Sequence, residues 1–148
     1  MDDDGVTRLR RVIARLARQL NSSATGEGLT PTQASVLALV VARGPVSLGE
    51  LAALEGLNPT MLSRVVGRLL ELELIRRIPD PADLRSASVV ATKSGQEVDR
   101  RVKAQRAAVV SECVDELPGE QEEALIAALP ALEALAETLK KSTRPATR

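Results

Sequence analysis

One short segment concentrates side chains that can bind phosphate groups and the edges of bases. Within "NPTMLSRVVGRLL", residues 58–70, there are two arginines and no acid, so the local charge is positive. Arginine can hold a phosphate or form two hydrogen bonds with guanine in the major groove, and hydroxyl groups can bond to either. Residues suited to this chemistry recur at spacings of three and four, which places them on one side of a helix: Thr60, Ser63, Arg64, Gly67 and Arg68.

Two interpretations of this segment are open when it is taken alone. Arginines on the outer side of an amphipathic helix are commonplace and need no partner except water. Contact with a nucleic acid is the alternative, and it is favoured by the dipole of a helix N-terminus, which attracts phosphate. The elements before and after the helix therefore have to decide between the two.

The composition excludes several classes of function. The 148 residues include no histidine, no Phe, Tyr or Trp, and a single cysteine, Cys113. Imidazole catalysis, histidine metal sites and aromatic platforms for single-stranded bases are therefore excluded. Cys113 has no sequence neighbour that would stabilise a thiolate, so we expect a buried, unreactive residue. With no catalytic pairing at a recognisable spacing, we expect a protein that is not an enzyme and has no cofactor or metal.

The overall charge and hydropathy limit where the protein acts. Twenty basic and twenty acidic side chains give a net charge of zero, so any cationic surface must be local. The N-terminus starts acidic and lacks the apolar segment of an export signal. The longest apolar run, residues 36–42, is far below the roughly 20 residues that cross a bilayer. We expect a single-domain cytoplasmic protein without a membrane partner.

Capping signals divide the centre of the chain into helices. Thr30 with Gln33 forms a capping box, so we expect a helix from Pro31 that ends at Gly44. An amphipathic helix over residues 6–22 precedes it.

The next two helices form a helix-turn-helix pattern. Ser47 with Glu50 predicts a second capping box, for a short helix that stops at Gly56. Asn58 then caps a helix that we expect over residues 59–73. Its predicted buried stripe consists of Leu62, Val65, Val66, Leu69 and Leu72.

A hairpin with a long loop follows directly. "IRRIPDPADLRSASVVATKSG", residues 75–95, contains two short apolar strands separated by Pro79–Arg85, whereas a hairpin needs only about two connecting residues. A helix-turn-helix followed by such a hairpin is the winged-helix order, and an arginine at the loop tip suits the narrow minor groove. Arg76 and Arg77, at the base of this wing, could contact phosphates or be simply solvated.

The run from Leu29 to Gly95 resembles the MarR family of bacterial transcriptional regulators. The motifs that carry the resemblance are Leu62-Ser63-Arg64 with Arg68, then Asp83-x-Arg85, then Ala91-Thr92-x-x-Gly95 at the start of a long helix. The fold class that we expect is mainly α with a small β-hairpin wing. Residues 30–92 would form the winged helix-turn-helix lobe, and residues 6–22 and 93–142 the dimerisation helices.

The resemblance also implies roles for individual residues. Thr60, Ser63 and Arg64 would face base edges and nearby phosphates in the major groove, and Arg68 would hold the DNA backbone. Within the wing, residues 79–86, Arg85 would enter the minor groove, and Asp83 would orient Arg85 by an ion pair.

The terminal helices suggest a second copy of the chain. We expect a helix from Lys93 to about Leu117 and a last helix opened by Pro118, which Pro130 should kink or split near Leu129. Its apolar positions are Leu125, Leu129, Leu132, Leu135 and Leu139. These stripes could pack on their own domain, but the small central core favours a homodimer, in which the two copies' terminal helices interlace in relatives.

The function expected from these features is a homodimeric, sequence-specific regulator that binds a near-palindromic site in double-stranded DNA. The resemblance implies a repressor released by a small effector, which the sequence does not identify. The alternative is a winged-helix module that docks a protein and does not bind DNA, and the zero net charge is its best support.

Overall fold

The computed structural model describes residues 1–22, 26–79 and 87–142, apart from the side chain of Lys140. The chain divides into two units, Met1–Ala107 and Ala108–Arg148. Nine elements follow in chain order: α1 Asp3–Ser22, α2 Pro31–Arg43, β1 Val46–Ser47, α3 Leu48–Glu55, α4 Pro59–Glu71, β2 Ile75–Pro79, β3 Ala87–Ala91, α5 Lys93–Asp115 and α6 Gly119–Ser142. The fold is mainly α with a small antiparallel sheet, as predicted.

The predicted capping residues begin α2. The Thr30 hydroxyl oxygen accepts from the backbone N–H of Gln33 at 3.2 Å, and the Gln33 side-chain oxygen accepts from the N–H of Thr30 at 3.0 Å. Pro31 occupies the first position, where a missing N–H costs nothing. The helix therefore begins where the sequence predicted.

The helix-turn-helix also forms as predicted. The Ser47 hydroxyl accepts from the N–H of Glu50 at 3.2 Å and begins α3, which ends at Gly56 in the left-handed conformation, with φ 64°. Within the described part of the chain, only this half of the second predicted capping box is formed. The Asn58 side chain accepts from the N–H of Met61 at 2.9 Å and begins α4.

The end of α4 was predicted less accurately than its start. The helix stops at Glu71, two residues before the predicted residue 73, because Glu73 takes a left-handed φ of 58° and turns the chain. Leu72 lies at the C-cap and is exposed, so its assignment to the buried stripe was wrong. Val65 is half-buried, and Leu62, Val66 and Leu69 form the buried stripe.

The core of the first unit lies between α2, α3, α4 and the sheet. Its fully buried side chains are apolar: Val36, Leu37, Val40, Val46, Leu51, Leu62, Val66, Leu69, Ile75 and Val89. Since α2, α3 and α4 each contribute to this cluster, the core fixes which side of α4 remains outside.

The wing strands belong to a three-stranded sheet in the order β1–β3–β2. Val46 of β1 pairs with Val89 of β3 in antiparallel register. The hairpin prediction missed β1 because a strand of two residues shows no periodicity. Residues 80–86 of the wing, including Asp83 and Arg85, lie outside the described residues.

An ion pair ties the segment before α2 to α5. Arg101 donates from Nε to Glu27 Oε1 at 2.8 Å and from Nη2 to Oε2 at 3.2 Å. These hydrogen bonds lower the pKa of Glu27 from its ordinary value and raise the pKa of Arg101.

The outer helices differ from two expectations. α6 runs through Pro130 without a break, so the predicted split was wrong; proline removes one backbone donor, and the remaining bonds continue the helix. Cys113 is exposed, which contradicts the expected burial, because the last turns of α5 extend past the core residues Val98 and Val102. Among the described helices, none is long and apolar enough to cross a membrane.

Candidate nucleic-acid interface

Helix α4 separates an apolar side from a polar side. Leu62, Val66 and Leu69 are at most 2% exposed and anchor the helix in the core. The predicted contact residues Thr60, Ser63, Arg64 and Arg68 are all exposed. The structure therefore brings this predicted set together on one helix held from behind, which is the arrangement that a groove-reading helix needs.

The start of α4 is open to solvent. Asn58, Pro59, Thr60 and Met61 are exposed, and Asn58 caps the helix from its own side chain. The positive end of the helix dipole is therefore free to attract a phosphate from outside the protein.

Gly67 has no structural explanation within the described fold. A Cβ added there would meet nothing within 4 Å, and its φ is not left-handed. A glycine inside a helix costs about 1 kcal/mol relative to alanine, so its presence needs another reason. Close approach of a surface from outside the chain is such a reason, because the missing side chain lowers the helix surface beside Arg64 and Arg68.

The sequence analysis overlooked an acid on the same helix. Glu71 accepts a hydrogen bond from Arg68 Nη1 at 3.2 Å, and both side chains are at least half exposed. It lies just beyond the cationic segment, residues 58–70, in which no acid occurs. Extending the spacing of three and four from Arg64 and Gly67 reaches Glu71, so this residue could have been found.

Met61 is a second overlooked residue. Its side chain is 50% exposed although it is apolar, and it lies next to Thr60 in the first turn of α4. An exposed methionine there can contact the methyl group of thymine. It could have been found from its position, about 100° around the helix from Leu62.

Arg76 and Arg77 lie on β2 beside the wing. Both are exposed, and neither makes an ion pair with any residue in the described ranges. Arg76 lies opposite Val90 and Arg77 lies opposite the buried Val89, so the two side chains leave the sheet on different faces. The structure therefore gives them different environments and does not bring them together.

The described residues hold no cluster of His, Cys, Asp and Glu that could bind a metal ion. The cations Arg64, Arg68, Arg76 and Arg77 are instead placed for contact with an anionic surface.

A helix-turn-helix whose second helix is polar outside, followed by an antiparallel sheet, defines the winged-helix class of DNA-binding regulators. The MarR family profile matches residues 29–87. An HTH-type transcriptional regulator of Mycobacterium leprae is 33% identical over 100 residues, which is 68% of each chain. The chain belongs to the MarR family of transcriptional regulators, which are not enzymes.

Solved structures agree with this assignment. A transcriptional regulator of Thermotoga maritima shares 26% identity with a TM-score of 0.73, covering 96% of this chain and 100% of the other. A mutant of MepR from S. aureus, bound to an oligodeoxyribonucleotide, has a TM-score of 0.63 at 19% identity, covering 88% of this chain and 97% of the other. The second likeness shows a shared fold only.

Proposed function

We propose that the chain acts as a homodimer that binds a specific, near-palindromic site in double-stranded DNA. The observation that carries this proposal is the outer side of α4, where exposed Thr60, Ser63, Arg64 and Arg68 lie opposite a fully buried apolar stripe. In this proposal α4 enters the major groove and the wing, residues 79–86, reaches the neighbouring minor groove.

The described side chains suit different tasks at the DNA. Arg64 has no ion-pair partner among the described residues, so its guanidinium is available to bond guanine. Thr60 and Ser63 supply hydroxyls beside it. Arg68 would exchange Glu71 for a phosphate, and an exposed ion pair of about 0–1 kcal/mol does not prevent the exchange.

The other predicted contacts surround this helix. Arg76 and Arg77 would bind phosphates at the base of the wing, each on its own side of the sheet. Arg85 in the minor groove, oriented by Asp83, stays a prediction from the family resemblance.

The dimer is supported by apolar side chains that the described part of the chain leaves uncovered. No residue of α1 is buried, although Val6, Val12, Ile13 and Leu16 recur on it at helical spacing and are 41–57% exposed. α6 likewise exposes apolar side chains: Leu125, Ile126, Leu129, Leu132 and Leu139. Apolar exposure of this kind indicates an interface, and a two-fold pair of α4 helices would read an inverted repeat.

The mode of action that we propose is repression in the cytoplasm of a bacterial cell, by occupation of the operator. A small effector of unknown identity would release the protein. The competing candidate is a winged-helix module that docks a protein, and the net charge of zero favours it.

A salt titration of DNA binding tests the proposal. If Arg64, Arg68 and Arg85 of both copies meet phosphates, about six contacts give a slope near minus five for log affinity against log salt. Arg68→Ala should reduce that slope by roughly two per dimer. Arg43→Ala, which removes an exposed arginine of α2, serves as the control and should leave the slope unchanged. A wild-type slope of zero would support protein docking instead.

A further inference from the structure

Thr92 joins the start of α5 to the turn that follows α4. Its backbone N–H donates to the carbonyl oxygen of Leu74 at 3.0 Å, and its hydroxyl donates to the carbonyl oxygen of Glu73 at 2.7 Å. The same hydroxyl oxygen accepts from the N–H of Gly95 at 3.0 Å. One side chain therefore connects the exit of α4 with the first turn of α5.

Gly95 completes this contact from the α5 side. A Cβ at position 95 would overlap the carbonyl oxygen of Leu74 and lie 2.9 Å from its carbonyl carbon. The backbone of α5 can approach the turn this closely only because residue 95 has no side chain. The Ala91-Thr92-x-x-Gly95 motif thus has a geometric meaning, which the contact residues for DNA do not explain.

The turn is bonded just as firmly on the α4 side. The N–H groups of Glu73 and Leu74 donate to the carbonyl oxygens of Leu70 and Leu69, each at 3.0 Å. Glu73 keeps a left-handed φ of 58°, which costs a non-glycine residue free energy and persists only where the surroundings impose it. The end of α4 and the start of α5 are therefore constrained to move together.

The angle set at this junction has a large effect at the far end of α5. The helix has 23 residues and is about 34 Å long at 1.5 Å per residue. A change of roughly 5° at the junction moves the far end by about 3 Å, close to the rise of one base pair at about 3.4 Å. Control of this angle within a few degrees is therefore control of position along DNA to about one base pair.

We propose that the junction formed by Thr92, Gly95, Glu73 and Leu74 sets the half-site spacing that the dimer accepts in its operator. The inference rests on the proposed dimeric binding of DNA, and it assigns Thr92 as a positioning residue that touches no base or phosphate. Its hydroxyl fixes the direction in which α5 leaves the recognition helix.

The test uses the full-length protein and inverted-repeat duplexes whose half-sites are moved apart or together by one and two base pairs. For each variant, the readout is the ratio of affinities for the best spacing and the altered spacings. An inactive fraction lowers all affinities alike, so the ratio reports positioning and not stability. Thr92→Val removes both side-chain hydrogen bonds at nearly constant shape, whereas Thr92→Ser keeps the hydroxyl.

Wild type and Thr92→Ser should discriminate by about tenfold or more per base pair of displacement, comparable to a mismatched base pair. Thr92→Val should accept the altered spacings with a ratio reduced about tenfold. Thr92→Ala is the second variant and should behave in the same way. Thr92→Val and Thr92→Ala with wild-type ratios would overturn the inference while leaving dimeric DNA binding intact. Failure of the wild type to bind any inverted repeat would overturn the proposed function, and the inference with it.

Discussion

The guanidinium of Arg68 donates a hydrogen bond to the carboxylate of Glu71 at 3.2 Å, one turn along α4. This pair places a negative charge at the end of a helix face whose other charged residues are arginines. Glu71 therefore opposes the approach of phosphates and also occupies the arginine that we propose to bind them. It should weaken binding to all DNA sequences alike, because it meets the backbone and not the base edges.

Glu71→Gln is expected to tighten DNA binding. Removing the charge frees Arg68 and removes repulsion, so we expect a gain of about three- to tenfold in affinity at low salt, for specific and random duplexes alike, and a smaller gain at high salt. Fluorescence anisotropy over a range of salt concentrations measures it. Glu112→Gln makes the same change of charge on α5 and should have little effect. A Glu71→Gln protein that binds no tighter than wild type would contradict this account of α4.

Gly67→Ala should separate stability from function. No described atom lies within 4 Å of the added Cβ, so alanine should stabilise the helix by up to about 1 kcal/mol. The same methyl group would hold the DNA away and reduce affinity. Denaturant unfolding and binding to one duplex measure the two effects. Unchanged or better affinity would show that the lowered surface at Gly67 has no role in binding.

Two substitutions of Asn58 should have opposite effects. Asn58→Asp keeps a good N-cap and therefore the stability, but it brings a negative charge to the end of α4 that would face phosphate, so affinity for DNA should fall. Asn58→Ala loses the cap bond and should cost about 1 kcal/mol of stability, with a smaller loss of affinity at a temperature where the protein is folded. Thermal unfolding and DNA binding of both proteins measure the split. If the aspartate variant bound DNA as well as wild type, the start of α4 would not lie at the backbone.

The pair of Glu27 and Arg101 should make part of the stability depend on pH. The hydrogen bond from Arg101 lowers the folded-state pKa of Glu27, so the paired carboxylate stabilises the fold above the ordinary glutamate pKa. This contribution is lost as the pH falls through the lowered pKa. Wild type should therefore exceed Glu27→Gln in stability at neutral pH, and the difference should shrink toward pH of about 3.

Denaturant unfolding of wild type and Glu27→Gln over this pH range measures the difference. Arg101→Gln removes the other partner and should show the same loss of pH dependence. A difference between wild type and Glu27→Gln that stayed constant with pH would mean that the ion pair is not responsible.

Leu129→Glu should separate the copies without unfolding the chain. Leu129 is 52% exposed on α6, so the charge would be tolerated in a single chain and would disfavour an apolar interface. Sedimentation measures the mass, and loss of affinity for an inverted repeat should accompany loss of the dimer. Leu54→Glu, at a 45% exposed position on α3, is the control and should leave the mass unchanged. A wild-type monomer would rule out the dimer.

Local signals predicted most of the central lobe. Side chains such as Thr30 and Asn58 fix a helix start through bonds within three residues, so the sequence alone identifies the start. The polar side of α4 followed from the spacing of its apolar residues. The turn at Glu73 could not be found in the same way, because its left-handed backbone is imposed by contacts with Thr92, nineteen residues later.

The errors share a dependence on distant neighbours. The short β1 exists only because β3 pairs with it, and nothing in Val46–Ser47 predicts a strand. Cys113 has apolar neighbours along the chain, but burial depends on what packs across the helix, and the described part of the chain supplies no cover there. Pro130 lowered our expectation for α6, yet the loss of one hydrogen bond did not end the helix.

Selection of bound duplexes from random DNA by the purified protein tests the central claim most directly. The account predicts an enriched inverted repeat whose half-sites are about one helical turn apart, with base preferences that Arg64→Ala relaxes more than Arg68→Ala does. Recovery of no preferred sequence at low ionic strength would contradict it.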